Sequence, residues 1–197
     1  MTDMSMTQIL FRDARPEDAR DIAVLYRQAA GGVADVIWDG LRNVDENIVD
    51  AGARRYAREG EDFSFENCAV AEVRGRVVGL LHAYSMYVDP DMDFADIDPV
   101  LRPYADLEED DSYYIAGMAL ADDYRGRGIG TKMMKLAELR AMTRGLQKLS
   151  LITFEENHAS VRLYQRLGYA TVDSRRICPH PFIRYGGHAL LMVKELG

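Results

Sequence analysis

Apolar and polar residues alternate over short stretches of this chain and recur every three to four positions over longer ones, which separates strands from helices. Residues 8–14 (QILFRDA) read as a short strand. Residues 15–32 follow as a helix with proline and acids in its first turn, glycines at its end, and Ile22, Leu25, Tyr26 and Ala29 on one inner face. A second, polar-rich helix is predicted over about 44–59, burying Ile48, Ala51 and Tyr56. Residues 66–73 and 77–88 form two strands around the turn Arg74 to Arg76, an antiparallel hairpin. After an irregular stretch come a strand at 112–120, a helix at 128–144 stopped by Gly145, a strand at 148–154, a helix at 157–168 and two closing strands at 169–177 and 188–196. The order predicts an α+β fold with an early and a late hairpin. Its central strand–helix–strand unit is expected to be parallel and right-handed.

Length and composition narrow this reading. At 197 residues and 48% hydrophobic content, one domain spanning 1–197 is expected. A net charge of −8 opposes the counterion release that drives nucleic-acid binding, so nucleic acid is not an expected partner. Cys68 and Cys178 are the only cysteines, the start is neither basic nor apolar, and no run of about 18 apolar residues occurs. The expectation is a cytoplasmic protein with no membrane partner and no structural disulfide.

The chemistry concentrates at Tyr124–Thr131 (YRGRGIGT), where Gly126, Gly128 and Gly130 stand between a strand end and a helix start. Backbone N–H groups there lack intrahelical partners and the helix dipole is positive, which makes an anion site. A dinucleotide fingerprint would require glycine where Thr131 stands. A Walker loop would require lysine before the hydroxyl residue, and here Thr131 precedes Lys132.

The spacing Arg125-x-x-Gly128-x-Gly130 resembles the R/Q-x-x-G-x-G/A pyrophosphate loop of the GNAT superfamily of N-acetyltransferases. One strand later, Asn157, Ser160, Tyr164, Gly168 and Tyr169 fill that family's N-x-x-A/S-x-x-x-Y-x-x-x-G-F/Y pattern. The resemblance runs from about Tyr114 to Tyr169. It implies a mixed, mostly antiparallel central sheet, α/β in three layers, splayed between its fourth and fifth strands and flanked by helices. It also implies acetyl-CoA as cosubstrate. Arg125, Gly126, Arg127, Gly128, Ile129, Gly130 and Thr131 would cradle its pyrophosphate, and Lys132 would add charge. Backbone groups near Met118 and Leu120 would bind the pantetheine arm, Asn157 would touch it, and Tyr164 would protonate the leaving sulfur. A bulge at Gly117 would help the sheet splay.

The implied reaction moves an acetyl group to a primary amine of a small, cationic molecule by direct attack. A peptide N-acetyltransferase and a non-catalytic CoA sensor are the alternatives, and an acyl group larger than acetyl stays open. Such an amine has a pKa of about 10.4, so its neutral form costs roughly 4 to 5 kcal/mol at pH 7 and a base is wanted. Asp111 and Glu155 are candidates by placement, as are His82 and His188. Family homodimers suggest pairing through the closing strands.

Residues 88–111 form an acidic insertion. Ten acids and one base give it a net −9, leaving the remainder of the chain at +1. It reads either as a mobile wall that draws a cationic amine or as a solvated charge run. Asp89, Asp91 and Asp93 mimic a calcium loop, but Phe94 stands where glycine is required. No metal is expected.

Overall fold

The computed structural model describes residues 8–91 and 97–197. Seven strands form one sheet in the order β1-β2-β3-β4-β5-β7-β6. They are β1 (Leu10–Asp13), β2 (Cys68–Val73), β3 (Arg76–Met86), β4 (Ser112–Leu120), β5 (Lys148–Phe154), β6 (Ala170–Arg176) and β7 (His188–Glu195). The β4·β5 pair is parallel and the other five are antiparallel. The β2–β3 hairpin turns on Arg74 and Gly75, both at positive φ, the two-residue geometry whose twist matches the strands.

The alternating period of the strands separates two faces. On one face Ala69, Ala71, Leu81, Leu149 and Leu151 pack against α5 (Ile129–Thr143) and α6 (His158–Arg166). On the other, Val70, Leu80 and Ala119 meet α1 (Ala19–Ala29), α2 (Val33–Leu41) and α3 (Ile48–Tyr56). Phe154, Leu191 and Val193 form a smaller cluster with Leu107, just after the short α4 (Arg102–Ala105).

Two expectations are corrected. The helix expected over 44–59 is only α3, begun by Asn47, whose side chain accepts from the Asp50 N–H at 3.0 Å. A separate helix, α2, precedes it. Gly31 and Gly32, read as the end of α1, make a tight turn at φ +60° and +105° and start α2 at once. Gly52 then lets the fully buried Trp38 ring approach, since a Cβ there would lie 2.6 Å from it.

Residues 97–111 of the acidic insertion are built into the body. Leu107 is buried, Glu109 pairs with Lys148, and Asp110 accepts the Val88 N–H at 2.9 Å. Asp93, Phe94 and Asp96, and with them the calcium-like spacing, lie outside the described residues. Among the described residues no cluster of His, Cys, Asp or Glu is arranged to hold a metal ion, and no helix is long and apolar enough to cross a membrane.

Candidate active site

The site begins where the sheet stops being a sheet. β4 pairs with β5 only at Tyr113↔Leu149, Tyr114↔Ser150 and Ile115↔Leu151. Below that ladder, a buried Ser112–Ser150 hydroxyl contact of 2.6 Å ties the strands together. Beyond it they part, and the β5-side edge of residues 116–120 has no ladder partner among the described residues.

The parting coincides with a break in the β3·β4 register. His82 pairs with Gly117 but Ala83 pairs with Ile115, so Ala116 is an extra residue. This is the bulge expected at Gly117, one residue removed. Gly117 also has a packing reason to lack a side chain: a Cβ would stand 2.8 Å from Cδ2 of Tyr26.

A cleft of about 610 Å³ fills the gap. Met118, Leu120 and the other β4 residues from Ile115 form one wall, and residues 151–154 of β5 form the opposite wall. One mouth is at the start of α5, where Arg125, Gly126, Gly128, Ile129, Gly130 and Thr131 line it. Gly128 is the N-cap of α5 and has no side chain to satisfy the first amides, and the first i→i+4 bond runs from the Lys132 N–H to the Gly128 carbonyl at 3.2 Å. Gly126 and Gly128 sit at φ +70° and +75°, and a methyl added at either would have none of the described residues within 4 Å. Their glycine requirement is therefore conformational, and the space before them is open. Gly130 differs: its φ lies outside the left-handed region and a Cβ would make an ordinary 3.6 Å contact with Met118.

Arg127 stands apart from this group. It does not line the cleft, and its guanidinium lies over the Tyr124 ring, 5.4 Å from the centroid. Arg125 does line it, bonded through Nε to the Leu120 carbonyl at 3.3 Å and paired with Asp122 at 3.1 Å.

Asn157 and Tyr164 both line the cleft from α6. Asn157 is the N-cap rather than a helix-interior residue; its Oδ1 accepts from the Ser160 N–H at 3.3 Å, and its Nδ2 donates to no protein group among the described residues. Tyr164 is buried beside Tyr169, ring centroids 5.9 Å apart. Burial pushes its hydroxyl pKa up to about 12. Among the described residues that hydroxyl makes no hydrogen bond to protein, and it faces the cleft, so its proton is uncommitted.

The far mouth opens on the other face of the sheet between Gln28 and Ala29 of α1 and the Phe154–Tyr185 pair, whose rings stack at 4.6 Å and 20°. Tyr185, from the loop between β6 and β7, was not singled out from sequence. A residue so placed carries no local pattern.

The base candidates separate. Asp111 precedes β4 at the end away from the splay, seven residues and therefore roughly 23 Å along the strand from Met118. Glu155 and His188, distant in sequence, meet at 3.0 Å between Oε2 and Nδ1, in an exposed pair directly after Phe154. His82 is fully buried in a ring of Tyr26, Tyr56, Phe63 and Tyr84. Its Nε2 lies 2.9 Å from the Asp62 carbonyl, so that nitrogen carries the hydrogen and Nδ1 accepts from the Tyr56 hydroxyl at 3.0 Å. Burial lowers its pKa to about 4, which leaves a neutral ring with both nitrogens occupied.

Glu108, which sequence reasoning passed over among its acidic neighbours, is half-buried and has a raised pKa, first from burial and then from the Asp62 carboxylate. Its charge is the smallest of the influences that raise the hydroxyl pKa values of Tyr84 and Tyr114, behind burial and the neighbouring tyrosines, and Tyr114 immediately precedes the last paired residue of β4. Cys68 is buried in β2, where desolvation raises its thiol pKa, and neither it nor Cys178 lines the cleft.

Residues 38–169 match the family model of the acetyltransferase (GNAT) family. An acetyltransferase of Pectobacterium atrosepticum is 31% identical over 104 residues, which cover 53% of this chain and 57% of that protein. The chain thus spans a little over half the length of this curated relative. In three dimensions it is similar to an N-acetyltransferase from Staphylococcus aureus Mu50, with a TM-score of 0.60, 22% identity, and coverage of 92% of this chain and 99% of that one. The PaiA N-acetyltransferase of Thermoplasma acidophilum, solved in complex with coenzyme A, superposes with a TM-score of 0.56 at 12% identity, covering 95% and 99% of the two chains.

Proposed function

The chain belongs to the GNAT acetyltransferase family, and from that premise we propose that it transfers an acetyl group from acetyl-CoA to a primary amine of a small molecule by direct attack in a ternary complex. The observation that carries the reading is the continuity of one cleft, from the uncapped amides of α5, through the parted strands, to the opposite face of the sheet. When bound, acetyl-CoA supplies an activated thioester. The residues fit it: the open, side-chain-free turn at Gly126 and Gly128 accepts a diphosphate, and the unpaired edge of β4 around Met118 and Leu120 accepts an extended amide chain as a strand would.

The chain's own groups then divide the work. Arg125 and the amides of Ile129, Gly130 and Thr131 offset the diphosphate charge. Amides freed by the bulge at Ala116 and Gly117 would polarise the reacting carbonyl. Tyr164 holds a proton for the departing sulfur. Glu108, its pKa raised by burial and by the Asp62 carboxylate, does not itself line the cleft and would take, through water, the proton that must leave before the amine attacks. An acyl-cysteine route is disfavoured by the placement of both thiols outside the cleft.

The test is calorimetry with coenzyme A, followed by free-thiol release from acetyl-CoA across polyamines, aminoglycosides, amino acids and peptides. Heat on CoA binding and amine-dependent thiol release are expected. Binding without release from any acceptor would replace the transferase with a CoA sensor, and no binding would overturn the reading altogether.

A further inference from the structure

A second cavity, of about 390 Å³, lies against the acceptor end of the cleft. Gln28 lines both, and Arg184 of the second cavity is followed by Tyr185 of the first. Its charged lining is Arg27 of α1, Asp35 of α2 and Arg184 of the β6–β7 loop, with Val24 and Phe182 as apolar walls.

Both guanidiniums are fixed before any ligand arrives. Arg27 donates through Nε to Oδ1 of the buried Asp35 at 2.6 Å. Arg184 donates through Nη2 to the Arg27 and Gln28 carbonyls at 2.9 and 3.2 Å, and its backbone N–H is held by the Gly31 carbonyl at 2.9 Å. Among the described residues, their remaining nitrogens donate to no protein group. Two cations and one carboxylate leave the cavity one positive charge in excess, in a chain whose net charge is −8. Preoriented guanidinium forks match the paired oxygens of a carboxylate or phosphate, which a point charge does not.

We infer that this cavity seats a carboxylate or phosphate group of the acceptor, whose amine enters the cleft past Gln28. The inference rests on the acetyltransferase reading and refines its acceptor: an amine bearing an anionic group, cationic at one end only.

Matched pairs test it in the thiol-release assay: β-alanine against its amide, γ-aminobutyrate against its amide, and phosphoethanolamine against ethanolamine. For the wild-type protein, kcat/KM is expected to be at least about tenfold higher for the anionic member of a pair. In Arg184→Gln the preference falls below about threefold, with Arg184→Lys between the two; Arg27→Gln, made together with Asp35→Asn so that no buried carboxylate is left unpaired, gives the same loss. Inorganic phosphate added to the assay raises KM for the anionic acceptors without lowering kcat. No preference in the wild type, a preference unchanged in both variants, or no turnover of any anionic amine overturns the inference. Phosphate that lowers kcat without competing also overturns it, because the cavity then takes a free anion. CoA binding and turnover of the non-anionic partners, measured on the same samples, keep the two readings apart: heat with coenzyme A and thiol release with any amine alongside these failures leave the acetyltransferase standing, and no heat removes both.

Discussion

Removing one oxygen, in Tyr164→Phe, isolates the proton donor from the fold. The hydroxyl bonds to nothing among the described residues, so its loss orphans no partner, and the ring keeps its place against Tyr169. Deleting a cleft-facing hydroxyl that leaves no protein partner behind is close to neutral for stability, within about 1 kcal/mol. The chemical effect is larger. With its pKa pushed up to about 12, Tyr164 is fully protonated at neutral pH. Full transfer to a thiolate of pKa about 8.5 is uphill by about 3.5 units, or roughly 5 kcal/mol, so the hydroxyl acts by donating as negative charge grows on sulfur. General acids of this kind contribute about 10²- to 10⁴-fold. A fall in kcat of about a hundredfold is therefore expected, equivalent to about 2.7 kcal/mol. Steady-state kinetics at saturating acetyl-CoA and calorimetry with coenzyme A read the two halves separately: kcat falls, and CoA affinity stays within about twofold. An unchanged kcat refutes the role. A large drop in melting temperature refutes the claim that the hydroxyl is structurally idle.

Other consequences follow from single contacts. Gly117→Ala drives a methyl into the Tyr26 ring, and a cost of about 1–3 kcal/mol in urea unfolding is expected, together with weakened turnover if the bulge shifts; a wild-type unfolding midpoint would show that the ring yields freely. His82 has a folded pKa of about 4 against 6.5. Its neutral ring is the form that the fold favours, so this contribution is complete above pH 6.5 and is lost as pH falls toward 4. About 3 kcal/mol is at stake, and denaturant titrations at pH 7 and 4.5 should show a steeper loss for the wild type than for His82→Gln. Gly128→Ala must hold alanine at φ +75°, a cost of about 1–2 kcal/mol, and coenzyme A titrations should show weaker binding even where the protein stays folded. Glu108→Gln should lower kcat/KM and remove the acidic limb of its pH profile; a profile identical to that of the wild type would eliminate Glu108 as the base.

What the chain reveals of itself depends on the range of each interaction. The glycine turn at the start of α5 was legible because its signal is local: glycines, a strand before them and a helix after them all lie within about thirty residues. That Asn157 and Tyr164 share one cleft was legible for the same reason. The second helix was not, because Gly31 and Gly32 are equally good as an end and as a hinge. The acid–base inventory was least legible. His82 is silenced by Tyr56 and Asp62, twenty or more residues away, and Glu108 is distinguished from its neighbours only because Leu107 anchors it to the core. Arg184 reaches Arg27 across 157 positions, a pairing that no window of sequence displays.

The seating of the Gly31–Gly32 turn on the β6–β7 loop has a bearing on how such a protein changes its taste for substrates. A side chain at Gly32 would meet the Phe182 carbonyl at 1.9 Å, and one at Gly31 would strike the Phe154 ring at 2.3 Å. Two segments some 150 positions apart are thus cast against each other like the halves of a mould. Neither can be rewritten alone, and altered acceptor preference in related chains is expected to require paired substitutions on both sides of that seam.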